Sequence, residues 1–156
     1  MAEVGYGITT GAAVALSAAT AKTVLGVKAH ANSGIQCKGF SISFDGVTAS
    51  AVPVLVEFCY VTFASNSPGT NSTSVTPQQR YGRSLTAGFT AGRNWTAEPT
   101  TISVLKEFLL SAYNGTFEYQ FPLGNEPDTA LGEGLCIRVT APATVNCRST
   151  MEVERI

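Results

Sequence analysis

Apolar and polar residues alternate most clearly over residues 131–156. Leu135, Ile137 and Val139 interleave there with Cys136, Arg138 and Thr140, and after a break at Pro142 the set Val145, Cys147, Ser149, Met151 and Val153 interleaves with Asn146, Arg148, Thr150, Glu152 and Glu154. Period two predicts two strands with one face on a core, so this end of the chain is expected to lie inside a sheet. The same period runs over 35–44, where Phe40, Ile42 and Phe44 share a face and Asp45-Gly46 follows as a turn. Residues 12–16 and 23–30 are shorter candidates, separated by a polar kink. Residues 52–64 (VPVLVEFCYVTFA) are apolar on both faces. That predicts a central strand covered by the core on one side and by something else on the other, with Pro53 at its start, where a missing N–H is tolerated.

Ile102, Val104, Lys106, Phe108 and Leu110 alternate with their neighbours, and Phe117, Tyr119 and Phe121 return on one face after Asn114-Gly115. Because both central positions of a type I′ turn need positive φ, Asn-Gly predicts a hairpin over 102–121; a helix would also fit 103–113, but the turn favours strand. Residues 65–80 (SNSPGTNSTSVTPQQR) form a polar stretch long enough to serve binding or to cross between sheets. Residues 81–101 give no firm pattern. About eight short strands with polar turns and no convincing helix predict an all-β, single-domain antiparallel β-sandwich or jelly roll. Its body is expected over 20–156. Residues 1–11 read as irregular, and the Gly-, Ala- and Thr-rich stretch 1–19 as an N-terminal arm used in assembly, with Tyr6 as anchor.

With 156 residues the chain fits one domain. Charged residues are 13% of the total against about 25% in soluble proteins, while hydrophobic residues are 44%. Either small polar residues finish the surface or a partner covers part of it. Ten Lys+Arg against 11 Asp+Glu leave a net charge of −1 with no basic block, which argues against nucleic acid. So little net charge also gives weak repulsion between copies, and favours self-association. The apolar run 11–16 is too short, and its leader too poor in Lys and Arg, for a secretory signal. No stretch approaches the roughly 20 apolar residues of a membrane helix. Synthesis in a cytoplasm would keep Cys37, Cys59, Cys136 and Cys147 reduced, and their wide spacing, with one histidine in the chain, gives no zinc site.

Candidate chemistry is sparse. His30 has no local partner to tune it as a base, no serine sits in a G-x-S-x-G elbow, and residues 124–128 lack the dense carboxylate spacing of a calcium loop. Gly82 and the glycines between 88 and 92 read as turn residues, not a phosphate cradle. The sequons at Asn71, Asn94 and Asn114 read as chance. No catalytic residue, cofactor or metal site is expected, and the chain is read as not an enzyme. Tyr6, Tyr81, Tyr113 and Trp95 fall in loop or strand-end segments, where exposed rings anchor sugars or protein partners; capping the core is the alternative reading for each ring. Tyr6, Tyr81 and Trp95 are the partner-binding candidates.

A resemblance adds to this. TAKTVLGVKA at 20–29, GFSISFDGVTASAVPVLVEFCY at 39–60, TPQQRYGRS at 76–84, TAEPT at 96–100, PLGNEP, and GLCIRVTAPATVNCRSTMEVE together resemble the head decoration, or cement, proteins of tailed bacteriophages, over residues 20–154. The resemblance rests on strand and turn patterns and carries no catalytic signature. It implies a β-sandwich subunit of the virion that binds the major capsid protein on the capsid exterior, as a homotrimer, after synthesis in the host cytoplasm. A receptor- or glycan-binding head of a phage fibre, with Trp95 and the 65–80 loop on a sugar, is the alternative. Under either reading His30→Ala is expected to leave binding intact and to cost no more than about 1 kcal/mol in a urea titration; loss of function with normal folding would revive an enzymatic role.

Overall fold

The computed structural model describes residues 3–47, 52–113 and 115–156. Twelve strands run in the order β1 (Gly5–Thr9), β2 (Val14–Leu16), β3 (Ala21–Lys28), β4 (Ile35–Phe44), β5 (Val54–Thr62), β6 (Thr73–Val75), β7 (Gln78–Tyr81), β8 (Thr90–Arg93), β9 (Thr101–Leu110), β10 (Thr116–Gln120), β11 (Gly134–Thr140) and β12 (Val145–Arg155), with no helix among the described residues. They form two antiparallel sheets. The first has the order β10-β4-β12-β1-β7 with β2 also on β12, and the second β6-β8-β3-β11-β5-β9. The chain is an all-β sandwich.

The C-terminal alternation forms the axis of the first sheet. On one side β12 pairs with β4 along its length, from Cys147↔Phe44 to Arg155↔Ile35, and on the other it takes β2 at 145–147 and β1 at 150–154. Its inward residues Val145, Cys147, Met151 and Val153 are buried, as the period required. Facing them across the core are Val54, Val56 and Phe58 of β5 and Leu135, Ile137 and Val139 of β11, all fully buried.

Two expectations need correction. Within the stretch 1–11 read as irregular, residues 5–9 form a regular strand: β1 lies between β12 and β7, Tyr6 is 2% exposed and Ile8 fully buried, so this part of the 1–19 segment packs in its own sheet. Glycine weakens a strand on its own account, so G-Y-G-I-T carries poor strand propensity and its alternation of Gly5 and Gly7 with Tyr6 and Ile8 is easily passed over. The 102–121 hairpin is also absent. β9 pairs with β5 and β10 with β4, so the two strands belong to opposite sheets. Asn114 itself lies outside the described residues. Apolar alternation on consecutive strands is the same whether they pair side by side or face each other across a core. Here they face: Phe108 and Phe117 meet at 4.8 Å between ring centroids, Phe40 of β4 stacks on Phe58 of β5 at 5.2 Å, and Phe121 contacts both, so aromatic packing closes this side of the sandwich.

The polar stretch 65–80 does cross between sheets, since β6 pairs with β8 in the second and β7 with β1 in the first. Register shifts fall at four places: Arg80 opposite β1, Lys38 opposite β12, Val24 opposite β11 and Leu105 opposite β5. Each inserts one extra residue into a strand and changes where the neighbouring side chains point. Because β1 is internal, Ile8→Ala is expected to cost about 2–5 kcal/mol in urea denaturation, and deleting residues 1–12 to abolish cooperative unfolding. A deletion variant that melts like the full chain would return this segment to the status of an arm.

Candidate functional site

The three candidate rings have three different fates. Tyr6 belongs to the core, with its hydroxyl donating to the Leu85 carbonyl at 3.0 Å and its ring edge-on to Phe89 at 5.3 Å. Trp95, 1% exposed, is also internal. Its indole lies on the outer face of the second sheet, over the paired residues Gly26 and Gly92, where an added Cβ would come within 3.0 and 2.9 Å of the ring. Below and beside it are Cys59, Val61, Phe63 and Cys136, with Ile102 packed against them. This is the cover that the two-sided apolar segment 52–64 called for, and it comes from within the chain.

The flap that holds the indole is built from asparagines. Nε1 of Trp95 donates to the Asn66 carbonyl at 2.7 Å, the Asn66 side chain donates to the Glu98 carbonyl, and the Asn71 side chain donates to that of Asn66. Asn66, Asn71 and Asn94 all adopt left-handed backbone conformations, which asparagine tolerates better than most residues. Glu98 accepts from the backbone N–H and hydroxyl of Thr23, next to the β3 register shift. Asn66, braced by Asn71 and Glu98, therefore fixes the 65–72 loop over the tryptophan.

Tyr81 alone is open, at 48% exposure. Together with Arg80 it extends across the outer face of β1, where only glycine leaves room: a Cβ at Gly5 would collide with the Tyr81 ring and one at Gly7 with the Arg80 guanidinium. The two side chains pass over β1 to reach β12, where Tyr81 donates to Glu154 and Arg80 pairs with Glu152. Lys38, carried outward by its register shift, completes the group by binding Glu154 at 2.9 Å and Glu126 at 3.1 Å. Burial works against the Lys38 charge, but the two carboxylates outweigh it and raise its pKa. Burial also works against the Glu154 carboxylate; Tyr81 and Lys38 outweigh it and hold the group below the ordinary 4.5. Loss of solvation and the adjacent carboxylate push the Tyr81 hydroxyl up to about 12.

Elsewhere the titratable groups serve structure. Arg138 grips Glu57 through two hydrogen bonds of 2.7 and 2.9 Å on the outer face of the second sheet, and this carboxylate raises its pKa. Asp45 accepts from the backbone and side chain of Asn146, Glu133 accepts from Tyr60, and exposed His30 accepts from the Asn32 N–H through Nδ1. Among the described residues no cluster of three His, Cys, Asp or Glu could hold a metal ion. Sequence reasoning missed the Lys38–Glu154–Tyr81 group and the Glu57–Arg138 pair because each depends on which strands are neighbours; the glycine alternation of residues 5–7 was the available sign for the first.

β9 is the edge strand of the second sheet with the most exposed apolar side chains. It pairs with β5 on one side only and ends the second sheet. Along its ten residues it exposes Val104 at 44%, Leu105 at 47% and Leu109 at 69%. Where it leaves the sheet, a shallow apolar hollow opens between Phe44, Leu110, Gly115 and Phe117, and another between Gly46, Val47, Ala112 and the 142–145 turn. Comparison with family models, curated proteins and solved structures finds no match to this chain.

The acid dependence of stability follows from the Lys38 group. Glu126 is likewise held below 4.5, by its own backbone and by Lys38, so both carboxylates have lower folded than unfolded pKa values. Their contribution is complete above 4.5 and is lost as pH falls through the folded values. Urea midpoints measured from pH 7 down to 3 should therefore fall in the acid range, and Lys38→Met should flatten that fall. An unchanged pH dependence in the variant would assign the acid sensitivity to other groups.

Proposed function

We propose that this protein is a structural component of a tailed-bacteriophage virion, which binds the outside of the major capsid protein lattice as a homotrimer and stabilises the shell. The observation that carries the reading is the long, unpartnered β9 edge with Val104, Leu105 and Leu109 exposed beside two apolar hollows. Exposed strand edges offer backbone donors and acceptors to another chain, and soluble proteins ordinarily blunt them. An edge that exposes Val104, Leu105 and Leu109 around the charged pair Lys106 and Glu107, on a chain with few charges, fits a subunit that works in an assembly. The resemblance of residues 20–154 to decoration proteins supplies the kind of assembly. Three-fold association matches a body seated at a three-fold lattice position, and binding only to the assembled shell would stabilise it by mass action.

A glycan-binding fibre head is the weaker reading, because Trp95, the ring proposed to stack on a sugar, is enclosed by its own loops. Light scattering on the purified protein should give a trimer, and binding to undecorated capsids should place density at three-fold positions. Leu105→Asp with Leu109→Asp should leave the circular dichroism spectrum unchanged, while weakening the trimer and capsid attachment together. A protein that is monomeric both in solution and on particles would end the proposal.

A further inference from the structure

Cys59 and Cys136 are directly opposite each other on the antiparallel strands β5 and β11. Both point to the outer face of the second sheet, and both are fully buried beneath Trp95. Opposed residues in such a ladder have Cα atoms about 4.5–5.5 Å apart, within the span that a disulfide bridges. Thr23 Oγ1 lies 3.9 Å from the Cys136 sulfur, on the same buried face. Cys37 and Cys147 occupy the other sheet, opposite Val153 and Phe44, so neither faces another cysteine across the ladder.

We propose that Cys59 and Cys136 are a modification site: a dithiol that closes to a cross-strand disulfide once the protein meets a small disulfide oxidant such as oxidised glutathione. One thiol loses its proton and attacks a glutathione sulfur, expelling one glutathione thiolate, which takes up a proton. The second thiol then loses its proton and attacks the protein sulfur of the mixed disulfide. The S–S bond between β5 and β11 forms and a second glutathione leaves. The protein loses two hydrogens, and one oxidised glutathione becomes two reduced molecules. Attack requires a thiolate, and the neighbouring Cys59 thiol together with burial raises the Cys136 pKa well above its ordinary value, so closure is slow while the pair stays covered.

The Trp95 flap sets the rate. Its indole hydrogen bond to Asn66 and the Thr96 N–H donated to the Asn71 carbonyl at 2.7 Å hold the cover in place. Opening this flap, without unfolding the sandwich, exposes the pair to the oxidant.

The test starts from fully reduced protein incubated under native conditions with oxidised glutathione. Samples are quenched in acid, unfolded, labelled with N-ethylmaleimide and mapped as peptides. Two of the four cysteines should be lost to labelling, with the peptides of Cys59 and Cys136 joined and Cys37 and Cys147 still labelled. Closure should be faster in Trp95→Phe and, should that variant fold poorly, faster in wild-type protein at urea concentrations below its unfolding transition. Trp95 fluorescence should drop as the bond closes in the wild type and stay constant in Cys136→Ser under the same treatment. Labelling of all four thiols both in native protein and in sub-denaturing urea would overturn the proposal, as would a cross-link through Cys37 or Cys147, or a glutathione adduct that never resolves.

Discussion

Everything in the first sheet depends on β12 having partners on both edges. β12 takes β4 on one side and β1 and β2 on the other, so this sheet closes only when strands far apart in sequence have met. Such pairing costs loop-closure entropy before it yields contact energy, and a fold of this kind forms slowly compared with one built from neighbouring hairpins. The aromatic group of Phe40, Phe58, Phe108, Phe117, Tyr119 and Phe121 offsets part of that cost, because it joins β4, β5, β9 and β10 across the core instead of along one sheet.

A second constraint recurs on both outer faces. Where a large side chain must lie flat across a strand, the strand presents glycine: Gly26 and Gly92 under Trp95, Gly5 and Gly7 under Tyr81 and Arg80. Glycine costs strand stability, and it leaves open the space above the backbone. On the second sheet this space admits an indole that seals the apolar half of the face. On the first it admits a phenol and a guanidinium that reach over β1 to carboxylates on β12. The sandwich is thereby covered on much of both outer faces by its own loops and edge strands. At the end of the second sheet, β9 and the hollows beside it leave apolar surface open.

This division bears on function. Tyr6 and Trp95 are buried within the chain's own packing and present no open ring face. Tyr81 remains at the surface, with its hydroxyl already engaged by Glu154. The buried rings and the open apolar side chains of β9 sit in different parts of the chain.

The sequence by itself determined which residues form most of the strands and which way those residues face. Period two over 35–44, 135–140 and 145–154 sufficed, because burial of one face of a pleated strand is a local property written in successive side chains. It also made legible that 52–64 needed cover on both faces, though not that Trp95 would supply it. Pairing was decided by the tertiary structure alone. That Phe108 and Phe117 face each other across a core instead of lying side by side, that Gly5 and Gly7 are a bridge and not a loose arm, and that Lys38 meets Glu154 all depend on strand order, which residues far apart in sequence set together. Alternation states that a face is buried; only the packed sheets state against what.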